Sequence, residues 1–399
     1  MQAPRQRNTN PTKRYKCRAD CGWMAVMARI AVLGAGGVGS ATARFLAHEG
    51  HSVTVVEQFS PDHDQGSSYG SSRIIRKTYT DGLYTSLMGE AYPLWDALER
   101  EAGESLFVRT GGLFFAPSEH PELAAIRRAL GDHRVPFEEL DPTACARRFP
   151  GFRLRAGESG VFEPEAGFLR ASACVRAQLR LASAHGAQVR AGARVEALEP
   201  RARGIALVLA GGEVLEFDRV VVCAGPWTAR LLAGHVSLPF TVTRQVYCHF
   251  EPSAPLAEFS VERFPVWIDF GTNFYGFPHD GQQPGVKVAL HQPGLSTEPH
   301  RVDREVHESD REPLRQACAQ HLPGLSPRVV FEKVCLYTMT PDEDFVVDRL
   351  PGEPRVTVVG GLSGHGFKFT VLLGRLAAWM ATDHPLPWEL SRFALARFA

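Results

Sequence analysis

The stretch Arg29–Phe59, RIAVLGAGGVGSATARFLAHEGHSVTVVEQF, decides the fold. An apolar run, Ile30–Leu33, meets Gly34, Gly36 and Gly39 in the spacing G-x-G-x-x-G. A small-residue helical pattern, Ser40–His48, follows, and Gly50 is placed to stop it. A second β-branched run, Val53–Val56, ends in Glu57. Strand, glycine turn, helix and strand in this order form the unit that grips a dinucleotide. Gly34 permits the tight turn, Gly36 lets the backbone approach a pyrophosphate, and Gly39 lets helix and strand pack closely. The helix N-terminus aims free N–H groups and its positive dipole end at the phosphates. Glu57 can accept hydrogen bonds from the ribose hydroxyls, and its charge repels a 2′-phosphate, which favours FAD or NAD over NADP. Glycine is common, 37 of 399 residues, so the six-residue pattern alone carries little weight. The strand before it, the helix after it and the acid on cue carry the reading. FAD and NAD are left open by the motif.

Working outward, the length predicts two or three domains, and 44% hydrophobic residues are enough for sizeable cores. Lys+Arg and Asp+Glu balance at 44 each, so nothing argues for nucleic acid or an anionic membrane as partner. No apolar run approaches the roughly 18 residues of a membrane span. The cysteines, at 17, 21, 145, 174, 223, 248, 318 and 335, form no C-x-x-C pair, so no metal site is expected. Scattered thiols of this kind suit a reducing compartment, and a cytoplasmic monomer is expected. Residues 1–27 are basic, polar and without periodicity. They read as a disordered leader outside the fold, either a transit peptide or the result of a start that belongs at Met27. The final residues, LARFA, are no peroxisomal tripeptide.

Helical patterns cover Tyr84–Ala102, Pro121–Leu130, Pro142–Phe149, Phe168–His185, Pro299–Leu322 and Phe369–Thr382. Strand patterns cover Thr110–Ala116, Gln188–Arg190, Arg194–Leu198, a hairpin of Gly204–Leu209 with Val214–Phe217, and the buried Arg219–Cys223. Strands return at Arg328–Tyr337, Phe345–Asp348 and Arg355–Val359, while 238–291 is strand-rich and aromatic. The order predicts a mixed α/β (α+β) chain with two interleaved domains. A Rossmann-type nucleotide domain takes 28–80, 150–235 and 326–399. An antiparallel-sheet substrate domain takes 81–149 and 236–325.

Four patches outside the opening motif hold chemistry. GSSYGSSRIIRKTY, Gly66–Tyr79, places Ser67 and Ser68 where backbone can approach a flat ring, and Arg73 and Arg76 on what reads as one helical turn. A surface loop with salt-bridged arginines is the plainer reading. KVCLYT, Lys333–Thr338, puts Cys335 in an alternating strand, where a cysteine is ordinarily just buried. GGLSGHGFKF, Gly360–Phe369, offers N–H groups and Lys368 at a strand-to-helix turn, with His365 read as a structural loop residue. GVKVALH, Gly285–His291, sets Lys287 in an apolar strand, either as a buried cation or as an edge lysine reaching water.

Together these patches resemble the monomeric sarcosine oxidase family of FAD-dependent amine oxidases, closest to its sarcosine/pipecolate oxidase branch. The resemblance runs from Arg29 to about Arg392 and is carried by GSSYGSSRIIRKTY, AGPWT, YTMTPDEDFVVD and GLSGHGFKF. It implies a D-amino acid oxidase-like fold, with Gly34, Gly36, Gly39, Glu57, Ser67, Ser68, Gly364 and Lys368 around FAD. Cys335 matches the cysteine bonded through sulfur to the flavin. Arg76 and Lys368 match the pair that clamps the substrate carboxylate. Arg73 and Lys287 match residues flanking the flavin ring, the lysine activating dioxygen. Tyr275, Tyr337 and His291 resemble residues lining the substrate cavity, and Val266, Trp267, Phe270 and Phe274 are candidates for its walls. The chain departs from the family at Tyr69, where histidine is usual, and at Ser68, where some members also have histidine. That departure bears on covalent attachment. The implied activity is oxidation of a small secondary α-amino acid (sarcosine, L-pipecolate or L-proline type) to an imine, with O2 reduced to H2O2. A flavin-dependent dehydrogenase using another acceptor and an NAD-dependent dehydrogenase are the alternatives.

Overall fold

The computed structural model describes residues 27–61, 63–292 and 294–398. The expected disordered leader, with Cys17 and Cys21, lies outside them apart from Met27. Arg29–Leu33 sits centrally in a six-stranded sheet. Its parallel neighbours are Ser52–Val56, in register Leu33 to Val56, and Arg219–Val222, in register Leu33 to Val222. Gln188–Arg190 extends the parallel set on one side and Glu353–Gly360 on the other; Val346–Leu350 closes the far edge antiparallel. Both faces of such a sheet must be covered, which explains the nearly unbroken apolar strands.

One face is covered by the helix Gly37–His48, flanked by Ala171–Ala184 and Thr370–Ala381. Small residues set the spacing. A Cβ on Gly39 would lie 1.8 Å from the Gly34 carbonyl oxygen, so only glycine lets the helix begin so close to the strand end. The other face carries a meander of Val195–Arg201, Gly204–Leu209 and Val214–Phe217.

The second large sheet has nine strands and is mostly antiparallel. Thr241–Pro252 pairs with Leu325–Met339 on one side and with Val286–Leu290 on the other. Beyond these lie Phe274–Gly276, Val266–Asp269, Gly112–Pro117 and Glu158–Glu163. Two strands therefore differ from the expected grouping. Glu158–Glu163 and most of Leu325–Met339, read with the nucleotide segments, pair in this second sheet. Their alternating apolar residues fit either sheet, and the partner that decides is remote in sequence. The core of this part is aromatic, with Phe115, Phe152, Phe264 and Trp267 in one cluster.

Helix boundaries also shift. The helix expected over Phe168–His185 spans Ala171–Ala184, because Phe168 lies in the strand Gly167–Leu169. The helix expected over Pro299–Leu322 begins at Glu308, where His307 and Asp310 form a reciprocal capping box. Among the described residues no helix is long and apolar enough to cross a membrane.

Candidate active site

A cavity of about 480 Å3 runs between the two large sheets. Its nucleotide end is built by the first strand–helix turn. Gly36 caps the helix Gly37–His48 without a side-chain bond, and the Gly37 N–H donates to Ser68 Oγ at 3.0 Å. Glu57 closes this end. Its carboxylate accepts the Ala35 N–H at 2.8 Å and the Phe59 N–H at 2.9 Å. Burial pushes this carboxyl up, but bonding from His63, Ala35 and Phe59 outweighs it and holds it below the usual range. A carboxylate offers about four lone-pair sites, so acceptor capacity remains for a ribose. Gly34, Gly36, Glu57, Ser67 and Ser68 line the cavity; Gly39 does not, being buried against Gly34.

Mid-cavity, Arg73 and Lys287 come from different sheets. Arg73 donates to the carbonyls of Ser67 at 2.9 Å, Tyr69 at 2.8 Å and Ser72 at 2.8 Å. The planar fork thereby holds the loop before it in shape. Arg73–Ile75 is a strand paired with Gly167–Leu169, not the expected helical turn. In a continuing strand, residues three apart face opposite ways. Arg76 nevertheless lines the same cavity, because the chain leaves the strand after Ile75.

Lys287 is buried rather than an edge lysine. Its Nζ donates to Ser72 O at 3.2 Å and to Ser72 Oγ at 3.3 Å, and it lies 4.3 Å from the Tyr247 ring centre and 4.5 Å from that of Phe277. Burial, then the charge of Arg73, lowers its pKa to about 7. Cys335 lies opposite Gln245 in the sheet register and clusters with Tyr69 and Tyr247. Burial pushes its thiol up, against the pull of Arg73 and Lys287. The Tyr69 hydroxyl bonds to the carbonyl of Val334, the residue before it.

The far end is cationic and buried. The Arg76 guanidinium stacks 4.2 Å from the Tyr79 ring centre and 5.6 Å from that of Phe270. Its Nη1 is buried and, among the described residues, has no hydrogen-bond partner. Lys368 Nζ donates to the Tyr79 hydroxyl and to the His365 carbonyl, both at 2.8 Å. Burial, then Arg76, drives the Lys368 pKa well below its ordinary value. Tyr275 and Tyr337 bring their hydroxyls to 3.4 Å, and His291 Nδ1 stands 3.4 Å from the Tyr337 hydroxyl. Burial, then Lys368 and Arg76, lowers the His291 pKa to about 4, which keeps this imidazole neutral. Gly364, at φ 75°, presses its backbone on this group. A Cβ there would lie 2.5 Å from the Tyr337 ring and 2.8 Å from His291 Cε1.

Of the expected wall residues, Phe270 lines the cavity. Val266 and Trp267 are fully buried in the packing behind it, and Phe274 packs into the aromatic core. Strand alternation explains the difference, since Ile268 and Tyr275, the neighbours of Trp267 and Phe274, face the cavity instead. Sequence reasoning also missed Tyr79 and Ser72. Tyr79 closes the very segment that carries Arg76, which was the available signal. His365, read from sequence as a structural loop residue, lines the same cavity, with Nε2 3.1 Å from the Glu343 carbonyl and Nδ1 3.3 Å from the Tyr79 hydroxyl. Among the described residues no group of three or more His, Cys, Asp and Glu side chains could hold a metal ion.

A nucleotide cradle continuous with a buried, cation-lined chamber defines a dinucleotide-dependent oxidoreductase. The family model for FAD dependent oxidoreductases matches residues 29–380, and the chain belongs to that family. It is 34% identical over 367 residues to a monomeric sarcosine oxidase of Streptomyces avermitilis, covering 90% of this chain and 95% of the relative. It is 33% identical over 373 residues to an N-methyl-L-tryptophan oxidase of Yersinia pestis (strain Pestoides F), covering 92% and 98%. Among solved structures it resembles the open form of NikD, an amino acid oxidase of nikkomycin biosynthesis, with a TM-score of 0.82 and 28% identity over 92% of this chain and 97% of that one. The cofactor is therefore FAD and the fold is the expected D-amino acid oxidase-like α/β architecture. The alternative of an NAD-dependent dehydrogenase is set aside by the same match.

Proposed function

We propose that this protein oxidises a secondary α-amino acid of the sarcosine, L-pipecolate or L-proline type, or a larger N-methyl amino acid, to its imine while O2 is reduced to H2O2. The observation that carries this reading is the unsatisfied cation pair. Among the described residues the buried Arg76 Nη1 has no hydrogen-bond partner, and Lys368 Nζ bonds only a phenol and a carbonyl. Among the described residues no carboxylate forms an ion pair with either of them. An unpaired buried guanidinium is costly, on the order of several kcal/mol, and a substrate carboxylate on its planar fork offsets that cost.

The residues present suit FAD. The backbone of Gly34–Gly37, Glu57, Ser67 and Ser68 would hold the nucleotide, and Arg73 with Lys287 would flank the ring. Cys335 is the proposed covalent attachment point, supported by its place in the lining of the same cavity, where the charges of Arg73 and Lys287 act on its thiol. FAD, when bound, supplies the two-electron acceptor for C–N oxidation and the donor to dioxygen. The protein's own share is orientation and electrostatics. Arg76 and Lys368 fix the carboxylate, which turns the carbon next to nitrogen into one defined pose. The neutral His291 and the hydroxyls of Tyr275 and Tyr337 surround the amine without adding charge, which favours its unprotonated form. Lys287 would place a positive charge where negative charge develops on oxygen.

The cysteines among the described residues are free and buried, which supports a reducing compartment such as the cytoplasm. The test is a panel of sarcosine, L-pipecolate, L-proline and N-methyl-L-tryptophan, with H2O2 as the readout. Turnover with at least one is expected. Oxidation that yields no H2O2 would reassign the protein to the dehydrogenases.

A further inference from the structure

Arg76–Tyr79 carries both the buried guanidinium and the hydroxyl that holds Lys368, and a carboxylate from the second sheet fixes this segment. Glu163 ends the strand Glu158–Glu163, opposite Gly112, and is fully buried. Its Oε1 accepts the Lys77 N–H at 2.9 Å. Its Oε2 accepts the Thr78 N–H at 3.0 Å and the Thr78 hydroxyl at 2.5 Å. The Tyr92 hydroxyl stands 3.4 Å from Oε1. Among the described residues no cationic side chain bonds Glu163; burial pushes its carboxyl up, against the bonds from Thr78 and Lys77 and the more distant charge of Arg76.

A buried carboxylate with no bonded cation is an expensive way to fill space, and an apolar residue would pack as well. What the carboxylate does is satisfy the two successive N–H groups and the hydroxyl of 77–78, just where the strand Arg73–Ile75 has stopped supplying partners. These peptides lie between Arg76 and Tyr79. Their orientation therefore sets where the guanidinium sits and, through the Tyr79 hydroxyl, where the Lys368 ammonium sits. Burial lowers the Arg76 pKa, and Glu163 is one of the charges that oppose this from a distance, favouring the guanidinium's charged form.

We propose that Glu163 is the positioning residue of the Arg76–Lys368 pair: by clamping the 77–78 peptides it sets the spacing of the two cations for a substrate carboxylate. This rests on the carboxylate-binding reading above. It assigns Glu163 no contact with substrate and no proton transfer.

The test uses FAD-loaded protein and methoxyacetate, which keeps a carboxylate and replaces the amine by an unreactive ether. Binding is read from the perturbed flavin absorbance, beside FAD content and thermal midpoint. Glu163→Gln keeps one acceptor and sets an amide donor against N–H groups. It is expected to retain FAD and to weaken methoxyacetate binding about tenfold, with substrate KM rising and kcat held within about twofold. Wild-type affinity in the variant would overturn the role. If Glu163→Gln does not fold, Thr78→Val removes only the hydroxyl donor, and about threefold weaker binding is expected; unchanged affinity there overturns the proposal equally. Failure of the wild-type protein to bind methoxyacetate would overturn the carboxylate reading itself, and with it the role of Glu163.

Discussion

Lys368 and Tyr79 stand 289 residues apart in the chain, yet the lysine Nζ donates to the tyrosine hydroxyl at 2.8 Å. The ring of that tyrosine also carries the Arg76 guanidinium, 4.2 Å from its centre. One phenol thus holds two buried cations, neither paired with an acid among the described residues. Cation–π contact, worth about 0.5–2 kcal/mol, offsets only part of the desolvation. The remainder is what an arriving carboxylate can offset.

Arg76→Met keeps the apolar stem and removes the fork. The variant is expected to retain FAD, since Arg76 is at the far end from Glu57, and to raise KM for the amino acid about 10–100-fold. Steady-state kinetics beside a flavin-to-protein ratio decides it. An unchanged KM would contradict the assignment.

Lys287 gives a pH signature. Its pKa is depressed from the ordinary 10.5 to about 7, so the ammonium is charged below about 7 and neutral above it. If the charge assists dioxygen, reoxidation of reduced enzyme slows as pH rises through that region. Lys287→Met should be slow at every pH and lose the dependence, with reduction by substrate largely kept. Stopped-flow mixing of reduced enzyme with O2 measures this. Equal slowing of both half-reactions would contradict it.

Much of this site was legible in sequence because its parts are local. The glycine turn, Glu57 at a strand end and the glycine-rich run before Lys368 each announce themselves within ten or so residues. Arg76, Lys287, Cys335 and Lys368 do line one cavity. What stayed hidden depends on register between distant strands. Trp267 and Ile268 differ only in which face of the sheet they occupy, and the pairing of Val266–Asp269 with Gly112–Pro117 fixes that face. Glu163 is hidden for the same reason: nothing local marks it, and only the pairing of Glu158–Glu163 with Gly112–Pro117 brings it under the 77–78 peptides. Arg73 and Arg76 misled in the opposite sense, because i, i+3 spacing suggests a helix where a short strand ends.

A second titration concerns stability rather than activity. His249 is buried beside Lys287, with Nδ1 donating to the Pro284 carbonyl at 3.1 Å, and burial followed by Lys287 lowers its pKa from 6.5 to about 3. The folded state thus holds it neutral where an unfolded chain protonates it. Its contribution is fully present above about 6.5 and is lost as pH falls toward 3. His249→Gln can keep the bond to Pro284 and cannot protonate. Denaturant unfolding at stepped pH should therefore show a shallower loss of stability across that window. An identical slope in both proteins would contradict it.

Cys335 makes the covalent proposal separable from FAD binding itself. After acid precipitation, wild-type flavin should stay with the pellet, and Cys335→Ala should release it to the supernatant. Release from the wild type as well would remove the covalent link, with Tyr69 in place of the family's histidine as the first residue to revert.

The most direct test of the central claim is an anaerobic titration of purified holoprotein with sarcosine, L-pipecolate, L-proline and N-methyl-L-tryptophan, followed by admission of O2. The account predicts that at least one bleaches the visible flavin absorbance, and that O2 restores it with an equivalent of H2O2. Flavin that stays oxidised with every carboxylate-bearing secondary amine would contradict it.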